Sequence, residues 1–244
     1  MKKTLNKAAF IGILVLLTSC TLLKKETVAL KGDGNIQSQE FPINDYSKVT
    51  LSGNQELIYE QRADLDPYLR IETDDNLLRF ITPKVKKNEL ALESVAAVAP
   101  TSYKIFTNSR ALTELTLTGS GKAYLEGNLN VKNLNLNITG SGSIFVDNVS
   151  AKNLSLKIIG AGYSEISGTI SKATFDLTGN GKIKADKLQA STVICKLPGA
   201  GSMWVYATDE LRVNISGSGN VYYAGSPLEF KQKLSGIGTV SKMD

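Results

Sequence analysis

Downstream of Leu115 the chain alternates apolar and polar residues in short runs, and Gly-x-Gly units interrupt these runs. In "LNITGSGSIFVDN", residues 136–148, the alternation stops at Gly140-Ser141-Gly142 and then resumes. A period of two places alternate side chains on opposite faces of a strand. Each unit therefore predicts two strands joined by a glycine corner.

The corner occurs seven times, at intervals of 18 to 21 residues. The glycines are Gly119 and Gly121, Gly140 and Gly142, Gly160 and Gly162, Gly179 and Gly181, Gly199 and Gly201, Gly217 and Gly219, and Gly236 and Gly238. A coil of about 20 residues cannot bury its own apolar face, so neighbouring coils must stack. The repeat predicts an all-β parallel β-helix. Leucine-rich repeats need a helical segment that is missing, and barrels or sandwiches leave the constant interval unexplained.

The region before the first regular corner has strand character with irregular spacing. Strands are predicted at 27–30, 48–51, 56–60, 68–73, 77–82 and 89–93, and Gly32-Asp33-Gly34 and Ser52-Gly53-Asn54 resemble degenerate corners. We therefore predict one domain over residues 27–244, with irregular coils at 27–110 and regular repeats at 111–244.

The N-terminus predicts export and a lipid anchor. Three lysines precede a short apolar run that ends in Leu17-Thr18-Ser19-Cys20, which resembles a bacterial lipobox. We predict a signal peptide at residues 1–19, acylation of Cys20, and a tether at 20–26. Thr21, rather than aspartate, follows Cys20, which favours the outer membrane if the source is a Gram-negative bacterium. The segment "TLLKKET" contains no acidic run, which favours the periplasmic face of that membrane.

Composition excludes several classes of function. Loss of Lys2, Lys3 and Lys7 with the signal peptide lowers the net charge from +5 to +2, which removes the main support for nucleic-acid binding. The chain contains no histidine, so histidine triads and imidazole metal sites are excluded. Cys195 falls in an inward column and is expected to be a buried core thiol.

A family resemblance rests on three sets of residues. They are "LKGDGNIQSQEFPINDYSKVTLSGNQELIYEQ", "DNLLRFITPKVKKNELALES", and the series "LTLTGSG", "LNITGSGS" and "VNISGSGN". Together they resemble the head GIN domain described as a putative auto-transporter adhesin, found in bacterial envelope proteins. The resemblance implies a right-handed parallel β-helix and no catalytic residues.

Two candidate sites have a simple structural explanation. The glycine corners lack the lysine, hydroxyl and following helix of a phosphate loop, so we expect them to be turns. Glu126, Asp147 and Asp186 each stand five residues after a second glycine, so stacked corners would place them along one edge, interrupted by Ser167. Parallel β-helix enzymes that cleave pectin group several acids on one sheet for Ca²⁺ binding and acid–base catalysis. Here the three acids fall in different coils beside lysines, and a solvated edge explains them. We expect no cofactor and no metal.

A third candidate is a row of aromatic residues on the outer surface. Three residues after the second glycine stand Tyr124, Phe145, Glu165, Lys184, Trp204 and Tyr222. We call Tyr124, Phe145, Trp204 and Tyr222 the aromatic row. Exposed aromatic residues mark binding surfaces for sugars and proteins, although other coils or loops can also cover them.

These observations favour a lipid-anchored, non-enzymatic envelope protein that presents a lateral surface to a glycan or protein. One alternative is a polysaccharide lyase or hydrolase that uses Glu126, Asp147 and Asp186. Another is a structural envelope component without a ligand.

Overall fold

The structure, a computed structural model, describes residues 28–243. The predicted signal peptide, the lipidation site at Cys20 and the tether lie outside these residues. Residues 28–243 form a β-solenoid of about six turns, with 71% of them in strands and one short helix at Asp75–Leu78. The predicted all-β parallel solenoid is confirmed.

The chain runs from an N-terminal region of short strands into a repeat region of long strands. The N-terminal region contains β1 (Leu30–Lys31), β2 (Ile36–Pro42), β3 (Lys48–Gly53), β4 (Glu56–Gln61), β5 (Tyr68–Asp74), α1 (Asp75–Leu78), β6 (Ile81–Lys86), β7 (Glu89–Ser94), β8 (Val98–Ala99) and β9 (Tyr103–Ser109). The repeat region contains β10 (Glu114–Gly119), β11 (Lys122–Gly140), β12 (Ser143–Gly160), β13 (Tyr163–Gly179), β14 (Lys182–Leu197), β15 (Ser202–Ile215), β16 (Asn220–Ala224), β17 (Glu229–Leu234) and β18 (Thr239–Lys242).

The long strands β11 to β15 each follow most of one coil and pair in parallel with the coils above and below. The segment that leads from the second strand of one unit to the first strand of the next is also strand, and a register shift interrupts it, such as that between Leu125 and Asn128. We call the segment after each corner, residues 122–126 in β11, face I. The segment before each corner, residues 133–139 in β11, is face II. Equivalent segments of the other coils carry the same names.

Apolar columns fill the interior of the solenoid. The register stacks one inward column on face II, and every member is at most 3% exposed: Leu115, Leu136, Leu156, Phe175, Cys195 and Val213. Close packing of such columns along the axis supplies the hydrophobic stabilisation of the repeats. The expected inward position of Cys195 is confirmed.

The glycine corners stack directly on one another. Gly140 has φ of +120° and Gly160 has φ of +118°. A Cβ atom on Gly160 would lie 2.5 Å from the carbonyl oxygen of Gly140, which accepts a hydrogen bond of 2.9 Å from the N–H of Ala161. Only glycine combines this backbone conformation with so close an approach. The corners are therefore structural turns.

The N-terminal region closes the solenoid with antiparallel strands. β5 pairs antiparallel with β2 and β9, and β6 forms an antiparallel hairpin with β7. On one face, β9 pairs in parallel with β4, and β4 pairs in parallel with β11. On the other face, the parallel pairs run from β7 to β3, from β3 to β10 and from β10 to β11. Each face of the solenoid thus begins with an antiparallel cap.

The irregular region also contains the errors of the sequence prediction. The strand expected at 77–82 is wrong in its first half, because α1 ends at Leu78 and β6 begins only at Ile81. Strands β2 and β9 were not predicted. Ser52-Gly53-Asn54 is a corner, since Gly53 lies in register below Gly119. Gly32-Asp33-Gly34 does not join the stack of corners and instead surrounds the carboxylate of Asp74.

Candidate functional site

The aromatic row lies in one outward column of face I. The register places Tyr124 against Phe145, then passes through Glu165 and Lys184 to Trp204 and Tyr222. All four rings are partly exposed, and the neighbours of Tyr124, Phe145 and Trp204 along their strands are buried, as at Ala123 and Leu125. The alternation that predicted the outward direction of these side chains is thus present in the folded protein.

The rings of the row stack on one another along the solenoid axis. The Tyr124 and Phe145 centroids lie 5.0 Å apart with planes 9° apart, and those of Trp204 and Tyr222 lie 5.3 Å apart at 17°. Phe145 also contacts Tyr163 at 5.7 Å in a tilted arrangement. Successive coils are about 4.8 Å apart, so rings in register meet face to face. Each ring of a stacked pair therefore has one face covered by its partner.

Charged residues divide the row into two stacks. Glu165 accepts a hydrogen bond from the hydroxyl of Tyr163 at 3.0 Å and lies 3.5 Å from the ammonium of Lys187. Burial raises the pKa of Tyr163, and the adjacent Glu165 carboxylate raises it further, so the phenol stays protonated as a donor. The ammonium of Lys184 lies 6.0 Å from the Trp204 ring centroid, at the limit of a cation–π contact.

The column continues into the N-terminal region, which sequence reasoning missed. Tyr124 lies in register above Ile58, Ile58 pairs with Phe106, and Phe106 lies opposite Arg70. The guanidinium carbon of Arg70 lies 4.1 Å from the centre of the Phe106 ring, a cation–π contact. The intervals between these residues follow no repeat, so their common column emerges only from strand pairing.

The three candidate acids do not form a continuous row. Register shifts fall beside them, between Leu125 and Asn128 and between Val146 and Val149. Asp147 accepts a hydrogen bond of 3.2 Å from the N–H of Gly127, and all three carboxylates are exposed. Within residues 28–243, no three histidine, cysteine, aspartate or glutamate residues gather as a metal site would require.

Cys195 has the environment of a core residue. Its side chain is fully buried, and burial raises the pKa of the thiol to about 12. A protonated thiol without solvent access is a poor nucleophile. Cys195 is therefore unsuited to catalysis.

The chain is similar to one protein family and to several solved structures. A family model described as "Putative auto-transporter adhesin, head GIN domain" matches residues 45–227. A structure titled as a putative lipid binding protein from Parabacteroides distasonis is 31% identical, with a TM-score of 0.74, and the match covers 88% of this chain and 100% of the other. No curated protein matches the chain.

Two further solved structures share the fold. A putative adhesin from Parabacteroides merdae is 26% identical with a TM-score of 0.76, over 88% of this chain and 99% of the other. A putative adhesin from Bacteroides fragilis is 24% identical with a TM-score of 0.82, over 88% and 100%. Across residues 28–243, no helix has the length and apolar character needed to cross a membrane.

Proposed function

The chain belongs to the family of the putative auto-transporter adhesin head GIN domain, and on that premise we propose that it is a non-catalytic, adhesin-like protein of the cell envelope. Its binding surface is face I, centred on the aromatic row. The observation that carries the proposal is the in-register placement of four partly exposed rings on a rigid lateral face. Aromatic residues on such a surface are common anchors for a partner.

The stacking within the row favours a protein partner over a sugar that stacks on a ring. Tyr124 and Phe145 each cover one face of the other, as do Trp204 and Tyr222. Tyr163 also contacts the Phe145 ring, and Lys184 lies near the Trp204 ring. A sugar needs an open ring face, whereas a protein partner also packs against ring edges and hydrogen-bonds to tyrosine hydroxyls. The related structure from Parabacteroides merdae, 26% identical, is named a putative adhesin, which agrees with a binding role.

The anchor is part of the same proposal. Acylation at Cys20 would hold the protein at the outer membrane, with the periplasmic face favoured. Its support is the lipobox-like sequence before Cys20. Labelling of cells with a fatty acid tests this step. We expect the chain to incorporate the label and Cys20→Ala to remain unlabelled, and a labelled Cys20→Ala chain would contradict the proposal.

Binding to isolated cell envelopes tests the role of face I. We expect the double variant Trp204→Ala with Tyr222→Ala to raise the apparent Kd about tenfold or more, because truncation of central aromatic contacts costs about 2 kcal/mol. Tyr68→Ala is the matched control, since Tyr68 is an exposed aromatic residue outside the row. Envelopes pretreated with protease should lose binding. Unchanged binding by the double variant, or an equal loss in Tyr68→Ala, would contradict the proposal.

A further inference from the structure

Face II carries a group of basic residues at its C-terminal end that are far apart in the sequence. Lys196, Arg212, Lys231 and Lys233 come from the three neighbouring strands β14, β15 and β17. They line an open depression of about 290 Å³ on the outer surface. We call this depression the cationic groove.

The strand register builds the two walls of the groove. One wall is the column of Ile194, Arg212 and Lys231, and the parallel wall two residues further along each strand is the column of Lys196, Asn214 and Lys233. Side chains of the residues between the walls point to the opposite side of the sheet, so the floor is backbone. Since neighbouring strands are about 4.8 Å apart, the groove runs along the solenoid axis across three coils.

The groove has more positive than negative charge. Arg212 pairs with Glu210, and Lys231 pairs with Glu229 at 2.9 Å. Lys196 and Lys233 make no ion pair with any residue in 28–243, although Asp176 lies next to Lys196 in the same column.

The same face is neutralised at the other end of the solenoid. At that end, the ammonium of Lys48 lies 3.0 Å from the carboxylate of Glu114. Both residues belong to the column that contains Arg212 and Lys231 in the C-terminal coils. In the column of Lys196 and Lys233, Lys157 lies in register with Asp176, which separates it from the C-terminal basic residues. The C-terminal coils carry more basic than acidic residues around the groove, and such an excess attracts anions.

We propose that the cationic groove binds a linear anionic polysaccharide. Arg212 offers a fork of donors for a carboxylate or sulfate, and the two unpaired lysines add point charges on the other wall. Asn214 supplies an amide between them, which suits sugar hydroxyl groups. An open channel along the axis accommodates an extended chain, and the aliphatic stems of the lysines and Ile194 pack against its apolar edges. This site is separate from the aromatic row, so it does not depend on the proposed function of face I.

Titration of the full chain with oligogalacturonate tests the proposal, with an uncharged maltooligosaccharide as the reference probe. We expect saturable binding of the acidic probe only, weakened by added salt. The double variant Lys196→Gln with Lys233→Gln should raise the Kd about tenfold through the loss of two charged contacts. Lys122→Gln with Lys182→Gln removes the same charge from exposed positions on face I and should leave the Kd within about twofold.

Each remaining outcome decides against the groove. Equal weakening by both double variants would show that net charge alone attracts the probe, and no weakening by either would place binding elsewhere. Tighter binding of glycerophosphate, as a lipid headgroup mimic, or of duplex DNA would also overturn the assignment. Trp204→Ala with Tyr222→Ala should retain oligogalacturonate binding, so failure of the face I proposal and failure of the groove are distinguishable.

Discussion

The N-terminal and repeat regions of this solenoid are stabilised in different ways. Five of the six buried polar side chains in residues 28–243 lie in the N-terminal region: Thr73, Asp74, Thr107, Asn108 and Ser109. The repeats contain only the sixth, Ser164, whose hydroxyl donates to the carbonyl of Ile144 at 3.0 Å. The comparison shows that apolar columns and glycine corners are enough to hold stacked coils together, whereas specific polar contacts join the irregular strands of the N-terminal end.

Asp74 is the centre of the contacts at the capped end. Its buried carboxylate accepts hydrogen bonds from the N–H of Gly34 at 2.7 Å and from the N–H and hydroxyl of Thr101 at 2.8 and 2.7 Å. These bonds join three segments that lie apart in the sequence. Such contacts are directional, so they specify one arrangement of the irregular strands.

The C-terminal end has no comparable cap within the described residues. Phe230 and Leu234 in β17 occupy inward positions above Leu211 and Ile215, yet they are 42% and 44% exposed. Lysines on an edge strand, such as Lys231 there, discourage pairing with other chains.

The largest effect is expected from a side chain at a stacked corner. Gly160→Ala places a Cβ 2.5 Å from the Gly140 carbonyl at a φ of +118°, and should lower the free energy of unfolding by about 4 kcal/mol or prevent folding. Gly127→Ala is the matched control, because Gly127 has φ of +67° and nothing within 4 Å of its Cβ position. It should cost about 1 kcal/mol in urea denaturation. Similar losses in both variants would contradict the stacking role of the corners.

Removal of the central polar contact of the cap should have the next largest effect. Asp74→Ala leaves the N–H groups of Gly34 and Thr101 without an acceptor. It should lower the free energy of unfolding by about 3 kcal/mol. In urea denaturation, spectroscopic probes placed in the N-terminal region should report unfolding at lower urea concentration than probes placed in the repeats. An unchanged midpoint would show that the polar network does not hold the cap.

Acid should weaken the cap through the same carboxylate. Burial alone would raise the pKa of Asp74, but hydrogen bonds from Thr101 and Gly34 outweigh it and lower that pKa below its ordinary value. The stabilisation is therefore present above the unfolded-state pKa of about 3.9 and disappears as the pH falls through the lower folded-state value. Asp74→Asn should flatten this part of the stability profile between about pH 5 and pH 2. If the free energy of unfolding of Asp74→Asn depended on pH as steeply as that of the unsubstituted chain, Asp74 would not be the cause of the acid sensitivity.

Loss of ring stacking should have a moderate effect. Phe145→Leu keeps an apolar side chain but removes the contacts with Tyr124 and Tyr163, and should cost about 1 kcal/mol in thermal unfolding. Phe145→Tyr retains the ring and should be close to neutral. Equal costs for leucine and tyrosine would show that stacking contributes nothing.

The smallest effect is expected at the open end. Leu234→Ala removes a partly exposed side chain and should cost about 0.5 kcal/mol or less. Leu197 is the buried control, because it lies in the same column as Ile215 and Leu234 but is fully covered. Leu197→Ala should lower the free energy of unfolding by about 3 kcal/mol. A large cost for Leu234→Ala would mean that the end is covered in solution.

The sequence predicted the repeats well because one periodicity determines both the corners and the inward columns. The position of Cys195 and the common column of Tyr124 and Phe145 follow from counting residues from the glycines. The cap was harder to predict, because β2 pairs with β5 over a distance in sequence that no repeat indicates. Long-range antiparallel pairing depends on packing rather than on local pattern.

The candidate site was predictable in position but not in geometry. Counting residues places Trp204 and Tyr222 in one column, but it does not show that their ring faces cover each other. The cationic groove is also difficult to see in the linear sequence, because Lys196 and Lys233 are separated by two coils. Stacking the sequence in rows of coil length would reveal such columns.

Recovery of a bound polysaccharide tests most directly the claim that this solenoid binds without catalysis. The full chain is incubated with oligogalacturonate, with and without Ca²⁺, and the length of the bound and free chains is measured over time. We predict saturable binding and recovery of the oligosaccharide at its original length. Progressive shortening that stops in Glu126→Gln with Asp147→Asn would contradict the account and identify a polysaccharide-cleaving enzyme.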